Sequence, residues 1–474
     1  MGEVETTDFD LLIVGAGPAG MAAAVEAVTH GLTVALFDEG SNAGGQIYRN
    51  VSISPISDKK ILGEDYFYGA RLVADASSCG ARVVTGATVW MVERHAETSL
   101  FSVGVLQAGS AKLYSARGVL IATGALERPF PINGWTLPGV MTAGAAQSML
   151  KASGAVPEGK VVLAGTGPLI YLLAAQFARG QVPVAALLDT TPYANLWKAF
   201  AHLPGFLVSA YFRKGVGLLR EVGRSTRIIR GVTSLKATGS ERLEAITFEV
   251  GARRRTIAAD TMLLHQGVVP QVNLAMAAGC RHSWSAERLA FEPDLDQGCR
   301  SSVPGLFIAG DTGGIGGALA AEISGTIAAL HFARDMGKVA TSVCDLKARS
   351  LKDDMKKVLR GRSFIDAFYK PAEVFRMPAD DVVVCRCEEV HAGEVRAAAV
   401  RGAQGPNQTK TFLRTGMGPC QGRLCGLTVT ELMARTLDKT PNEIGYFHIR
   451  NPVKPITLGA LAGLKGDGET RRLF

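Results

Sequence analysis

The chain opens on an apolar run with a polar residue before it, Asp10-Leu-Leu-Ile-Val, followed by Gly15-Ala-Gly17-Pro18-Ala19-Gly20 and an alanine-rich stretch. Consecutive apolar residues without alternation predict a strand buried on both faces, and the alanines after the turn predict a helix packed against it. Gly-x-Gly-x-x-Gly is the turn that binds a dinucleotide: Gly15 makes the bend, Gly17 leaves room for a pyrophosphate, and Gly20 permits close contact of helix and strand. The helix start, opened by Pro18 and continued by Ala19, offers the free N–H groups that follow the proline to the phosphates. A second apolar run, Leu32-Thr-Val-Ala-Leu-Phe, ends in Asp38 and Glu39. The acid there is expected on the adenosine ribose, Asp38 first by spacing and Glu39 second.

The pattern recurs at Lys160-Val-Val-Leu-Ala-Gly165-Thr-Gly167-Pro-Leu-Ile170, with the paired run Val184-Ala-Ala-Leu-Leu-Asp189. Isoleucine stands where the third glycine belongs, and its branched side chain pushes helix from strand. A site on Gly165, Gly167 and Asp189 should therefore differ in geometry or bind less closely. Three readings stay open: an adenine nucleotide site of unassigned use, a working NAD site, or a structural relic. The apolar stretch from Val161 to Phe177 reads as strand, turn and helix, not as a membrane span, because Gly-Thr-Gly-Pro interrupts it.

Half of the eight cysteines fall in two tight pairs near the C-terminus, Cys385-Arg-Cys387 and Cys420-Gln-Gly-Arg-Leu-Cys425. Four thiolates is the ligand count of a 2Fe-2S cluster. Structural zinc sites usually place two to four residues between paired ligands, so the first pair is tight for zinc and the second sits at the wide end of that range. A cluster has two metal atoms and accepts unequal pairs, with zinc and unligated cysteines as the lesser readings. Cys79, Cys280, Cys299 and Cys344 are isolated and read as buried small apolar residues. No redox pair stands beside the first turn, which argues against disulfide reduction.

At 474 residues, 47% of them apolar and 20% charged, the chain has the composition of a globular enzyme with two or three domains. The net charge is +8, densest from Arg213 through Arg230. That stretch reads first as a solvated face, then as a docking surface for an acidic partner subunit or a weak attraction to anionic lipid. Nucleic acid comes last, since no recognised module accompanies the charge. Met1-Gly-Glu-Val-Glu-Thr has no signal-peptide core and only formally matches a myristoylation pattern. The expectation is a cytoplasmic protein, peripheral to the inner membrane at most through its complex.

Gly44-Gly45-Gln46-Ile-Tyr-Arg49, Ala122-Thr123-Gly124, and Gly310-Asp311-Thr-Gly-Gly together resemble the two-dinucleotide-domain flavoproteins related to thioredoxin reductase. The resemblance implies an α/β fold with two Rossmann-like domains, FAD in the first, and Asp311 on the flavin's ribitol; the residue-based reading of Asp311 is an N-cap. The C-terminal module resembles the ferredoxin associated with bacterioferritin, whose second pair is Cys-x2-Cys where this chain has Cys-x4-Cys. Over nearly its whole length, with Gly124-Ala-Leu-Glu-Arg128-Pro129, Leu137-Pro-Gly-Val-Met-Thr and Gly416-Met-Gly-Pro-Cys420, the chain resembles the α-type subunits of bacterial multisubunit amino-acid and opine dehydrogenases. These include the A-type polypeptide of opine oxidases, the α polypeptide of D-hydroxyproline dehydrogenase and the B-type polypeptide of hydrogen cyanide synthase.

The resemblance implies that an FAD-containing β subunit, similar to glycine and sarcosine oxidases, oxidises the substrate. This chain would pass electrons onward, with a small ferredoxin-like subunit, a downstream acceptor, and FMN at a subunit interface left open. No catalytic acid or base is expected here. Arg49 and Arg128 suit a flavin phosphate or an interface better than a substrate carboxylate, and His265, expected near the flavin ring, reads first as a satisfied half-buried histidine and second as a proton relay for the flavin. The expected domains are 1–150 with 260–335 for FAD, 151–259 for the second dinucleotide fold, a charged helical linker over 336–376, and the cysteine module over 377–474.

Overall fold

The structure, a computed structural model, describes residues 7–464; the expectations about residues 1–6 and the tail past 464 lie outside them. The first apolar run forms the strand Phe9–Val14, flanked in parallel by Val34–Phe37 and by the end of the long strand Ser110–Ile121. Arg82–Val84 extends the sheet on one side, and Phe101–Gln107 and Ala87–Arg94 extend it antiparallel on the other. Leu306–Ile308 returns from far along the chain to pair with Val119–Ile121, completing seven strands. The helices Pro18–Thr29 and Ala318–Asp335 pack together on one face.

A second sheet has five parallel strands in the order Ile228–Arg230, Val184–Asp189, Val161–Thr166, Thr261–Gln266, Val140–Thr142. The strand Thr261–Gln266 thus belongs to the second dinucleotide fold and not to the first, as does Val140–Thr142, so the expected seams at 150 and 260 each fall on the wrong side of a strand. A buried apolar run carries no local mark of which sheet will take it. An antiparallel ribbon, Ala125–Glu127 with Val268–Pro270, connects the two folds.

Residues 336–376 form a strap tied at both ends. The helix Thr341–Val358 lies on the first fold, where Lys347 pairs with Glu26 at 2.6 Å. The helix Arg362–Phe368 lies on the second, where Phe364 stacks on Phe206 at 4.1 Å. Beyond it, the short pair Val383–Cys385 and Val390–His391 and the helices Ala392–Val400, Pro406–Leu413 and Gly426–Thr436 build the C-terminal module. This module is not a bead on a string: Val384, Val395, Val429 and Phe447 share one buried core with Leu12, Val14, Phe37 and Ile121 of the first sheet. A buried ion pair, Arg376 with Glu431, and an exposed one, Lys454 with Glu39, pin it further.

Candidate functional site

Phe9–Val14 delivers Gly15 to the carboxyl end of the first sheet, where its N–H donates to the Phe37 carbonyl at 2.7 Å. A Cβ on Gly20 would stand 1.9 Å from the Gly15 carbonyl oxygen, so the helix can approach the turn this closely only without a side chain. Gly17 differs. Its φ is −80°, and a Cβ there would meet only Gly45 at 4.0 Å, so its neighbours leave open space for a ligand. Gly44 donates to the Ala16 carbonyl at 2.8 Å, and Gly45 faces Gly17 backbone to backbone, which makes the Gly44-Gly45 turn the second wall of the same slot. Pro18 and Ala19 begin the helix, with Pro18 at its first position, where no N–H is needed.

Asp38 accepts from the Ala16 N–H at 2.6 Å and the Gly40 N–H at 2.7 Å, which aims its carboxylate into the fingerprint. Burial still pushes its pKa up, against those two hydrogen bonds. Glu39 is directed elsewhere, onto Lys454. Asp311 accepts from the Gly316 and Gly317 N–H groups at 2.9 and 3.0 Å through Oδ1, just ahead of the helix Ala318–Asp335, while Oδ2 takes no hydrogen bond among the described residues. The capping geometry and a free oxygen coexist. Thr312, fully buried, accepts from the Gly124 N–H at 2.6 Å and reaches Thr123 at 3.4 Å, so the turn after Ala122 and the Gly310-Asp311 loop form one unit.

Gln46 accepts from Arg49 at 3.2 Å and from Ser148 at 3.3 Å. Beneath it lies a residue that periodicity did not flag, Lys151, whose amine donates to the carbonyls of Gln46 and Ile47 and to Gln147 at 3.0–3.2 Å. Burial, then the neighbouring Arg49, lowers its pKa to about 8. Arg128 is also buried; it donates to the Arg288 carbonyl at 2.7 Å, and burial lowers its pKa to about 9. It is an internal strut here.

The four paired cysteines come together. Cys425 stands beside Cys385 and Cys420 beside Cys387, near enough for each thiol to bear on its neighbour's charge, and the backbone N–H groups of Gly416, Glu388 and Cys387 favour a Cys385 thiolate. The Cys425 thiol, first, and those N–H groups hold Cys385 down at about 6, whereas the neighbouring Cys385 and burial push Cys425 up. Cys385 and Cys425 are buried, Cys420 half-buried and Cys387 exposed, which sets one edge of the quartet at the surface. Gly418 lies against Cys387, where a Cβ would be 2.2 Å from the cysteine's own. Trp135 donates to the Val383 carbonyl at 2.7 Å and stacks under the Arg386 guanidinium at 5.2 Å, fixing the strand that carries the first pair. The Asn273 amide donates to the Gln421 carbonyl at 2.9 Å and ties the second pair's loop to the first fold. Among the described residues no group of three or more His, Cys, Asp and Glu is arranged to hold a metal ion.

The second turn departs from the first as Ile170 implied. Gly167 adopts φ 119°, against −80° at Gly17, and Ile170 is fully buried. Asp189 accepts from the Tyr171 hydroxyl at 2.6 Å and the Thr191 N–H at 2.8 Å, so both oxygens are engaged inside the protein. His265 lies beside Gly167, not beside the first turn, because its strand belongs to the second sheet. Its Nδ1 meets Glu127 at 2.6 Å, and Glu127 in turn accepts from the Gly144 N–H at 2.9 Å. Glu127 escaped sequence reading because one acid in a Gly-Ala-Leu-Glu-Arg-Pro turn has no periodic partner.

Residues 9–337 match the family described as pyridine nucleotide-disulphide oxidoreductase, and residues 382–464 match the sarcosine oxidase A3 domain. The A-type polypeptide of opine oxidase from Agrobacterium tumefaciens (strain Ach5) is 46% identical over 461 residues, 96% of this chain and 92% of that one. The chain belongs to this opine oxidase family of A-type polypeptides. It is accordingly a flavoprotein oxidoreductase and one subunit of a multisubunit enzyme. Hydrogen cyanide synthase subunit HcnB of Pseudomonas protegens is a further relative, 31% identical over 95% of this chain and 96% of that one. An L-proline dehydrogenase from P. horikoshii shares the fold at a TM-score of 0.69 and 20% identity, over 96% of this chain and 79% of that one. In this family member the isolated Cys280 and Cys344 are buried and Cys79 and Cys299 half-buried, and none of the eight cysteines is in a disulfide.

Proposed function

We propose that this subunit is an electron relay. It would hold FAD on the first turn and a 2Fe-2S cluster on Cys385, Cys387, Cys420 and Cys425, and take electrons from an amino acid or opine oxidised on a separate FAD-containing β subunit. The observation that carries the reading is the convergence of four thiols, two by two, with backbone N–H groups that favour a Cys385 thiolate. Bound there, a flavin supplies two-electron uptake with one-electron release, and a cluster accepts one electron at a time.

The chain's own residues position and tune. Gly17 and Gly45 border the slot for the pyrophosphate, Gly15 and Gly20 set its depth, Pro18 opens the helix without an N–H, and the helix start from Ala19 on offers N–H groups to it. Asp38 supports the adenosine ribose, with Glu39 tied to Lys454 as second choice, and Asp311 Oδ2 is free for the ribitol. Gly310, Ala122, Thr123, Gly124, Gln46 and Arg49 wall the flavin end. Cys387 opens the quartet to an acceptor, a small ferredoxin-like subunit or a downstream carrier. An adenine nucleotide on Gly165, Gly167 and Asp189, and an FMN at the subunit seam, complete the reading.

An opine such as octopine or nopaline is the favoured substrate, since the opine oxidase polypeptide is the nearer of the two relatives described; D-hydroxyproline and glycine follow. A stand-alone NAD(P)H reductase is disfavoured because Ile170 takes the place of the third glycine and Gly167 turns at φ 119° where Gly17 stands at −80°. The test is turnover with an artificial dye. The chain with its β subunit should oxidise one of these substrates, and the chain alone none; equal rates for the lone chain would overturn the relay.

A further inference from the structure

Between the strands Val184–Asp189 and Ile228–Arg230 the chain makes an excursion much longer than one crossover helix, through the helices Ala194–Ala199, Leu203–Leu207 and Ala210–Ser225. Its first helix is inside out. Tyr193, Leu196, Trp197 and Phe200 occupy i, i+3, i+4 and i+7, one stripe of a helix, and that stripe faces solvent. Trp197 is 80% exposed, Phe200 62%, and Val208 on the next turn 69%. The opposite face is the one that is anchored: Asn195 and Ala199 are buried, and the Asn195 amide donates to the carbonyls of Phe368 and Lys370 at 3.0 and 2.8 Å. With Phe206 stacked on Phe364, the strap holds the excursion so that its apolar side points outward.

Charge decides what covers it. Residues 193–230 carry seven cations and one acid, Glu221, which is already paired with Arg179 at 2.6 Å. Lys198, Arg213, Arg220, Arg224 and Arg227 are exposed and have no ion-pair partner among the described residues. Two copies of so cationic a face repel each other, which argues against self-association through it. A protein interface surrounds its apolar centre with a polar rim of mixed character, whereas here cations predominate, with Glu221 and Asp65, the latter on Lys214 at 2.6 Å, the acids among them. Trp and Tyr beside Leu, Phe and Val, flanked mainly by Lys and Arg, is the composition that lies in the headgroup region of an anionic bilayer.

We infer that the Tyr193–Val208 excursion is a peripheral membrane-docking surface specific for anionic lipid. No described helix is long and apolar enough to cross a bilayer, so contact is from one side. The experiment is co-sedimentation of the full chain with vesicles of phosphatidylcholine, with and without phosphatidylglycerol. The chain should sediment with the anionic vesicles only, and release as salt is raised. Trp197→Ser with Phe200→Ser should weaken binding at least about tenfold, with flavin content unchanged. Arg220→Glu with Arg224→Glu should weaken it independently of the aromatic pair. Absence of sedimentation with anionic vesicles, or equal sedimentation with both kinds, would overturn the assignment. So would a serine variant that still binds vesicles and instead fails to co-elute with the β subunit, which would make the stripe a subunit interface.

Discussion

Gly17 and Gly20 share a motif and answer to different forces, which single substitutions separate. A Cβ at Gly20 collides with the Gly15 carbonyl at 1.9 Å, so Gly20→Ala should cost about 1–3 kcal/mol of stability. Gly17→Val meets no such obstacle in the protein and should leave the melting temperature of the FAD-free chain nearly unchanged while abolishing FAD binding; a valine variant with full flavin content would show the slot misassigned. Lys151 gives a pH signature. Its pKa is lowered from 10.5 to about 8 in the fold, so between those values the unfolded chain binds more protons. The penalty is present in full below about pH 8 and is lost as pH rises to 10.5. The stability of the wild type relative to Lys151→Met should therefore climb by roughly 3 kcal/mol over that span in denaturant titrations. Gly15, Gly17, Gly20 and Asp38 were legible because a tight turn admits few residue types. Lys151 and Glu127 were not, since each gains its role from partners distant in the sequence.

Among the elements, both dinucleotide turns were legible from apolar runs ending in glycines, and the Ile170 departure correctly implied an altered second turn. The assignment of Thr261–Gln266 to a sheet was not legible. Parallel strands pair across long connections, and a buried run looks the same in either sheet. The altered turn makes a kinetic prediction: NADH and NADPH should reduce bound flavin far below ordinary enzymatic rates, on the order of 1–1000 per second, in anaerobic stopped-flow mixing. Reduction within that range would restore the stand-alone reductase. Tyr171→Phe removes the hydroxyl that bonds Asp189 and should destabilise the chain by about 1–3 kcal/mol, read from thermal or denaturant unfolding.

At the scale of the molecule, the cysteine pairs announced a module, but their spacing said nothing of how it docks. The shared core with Leu12, Val14 and Phe37 shows that module and first fold form one body, since apolar side chains from both fill the same space. The ligand variants therefore divide. Cys387, exposed, can become serine with flavin content retained, whereas Cys425→Ser puts a hydroxyl into the common core and should lower stability as well. The most direct test of the relay is metal and flavin analysis of the anaerobically purified chain, with electron paramagnetic resonance after reduction. The account predicts FAD, about two irons per chain, and a reduced 2Fe-2S signal that Cys387→Ser removes while flavin stays. Stoichiometric zinc without iron, or an iron signal indifferent to Cys387→Ser, would contradict it.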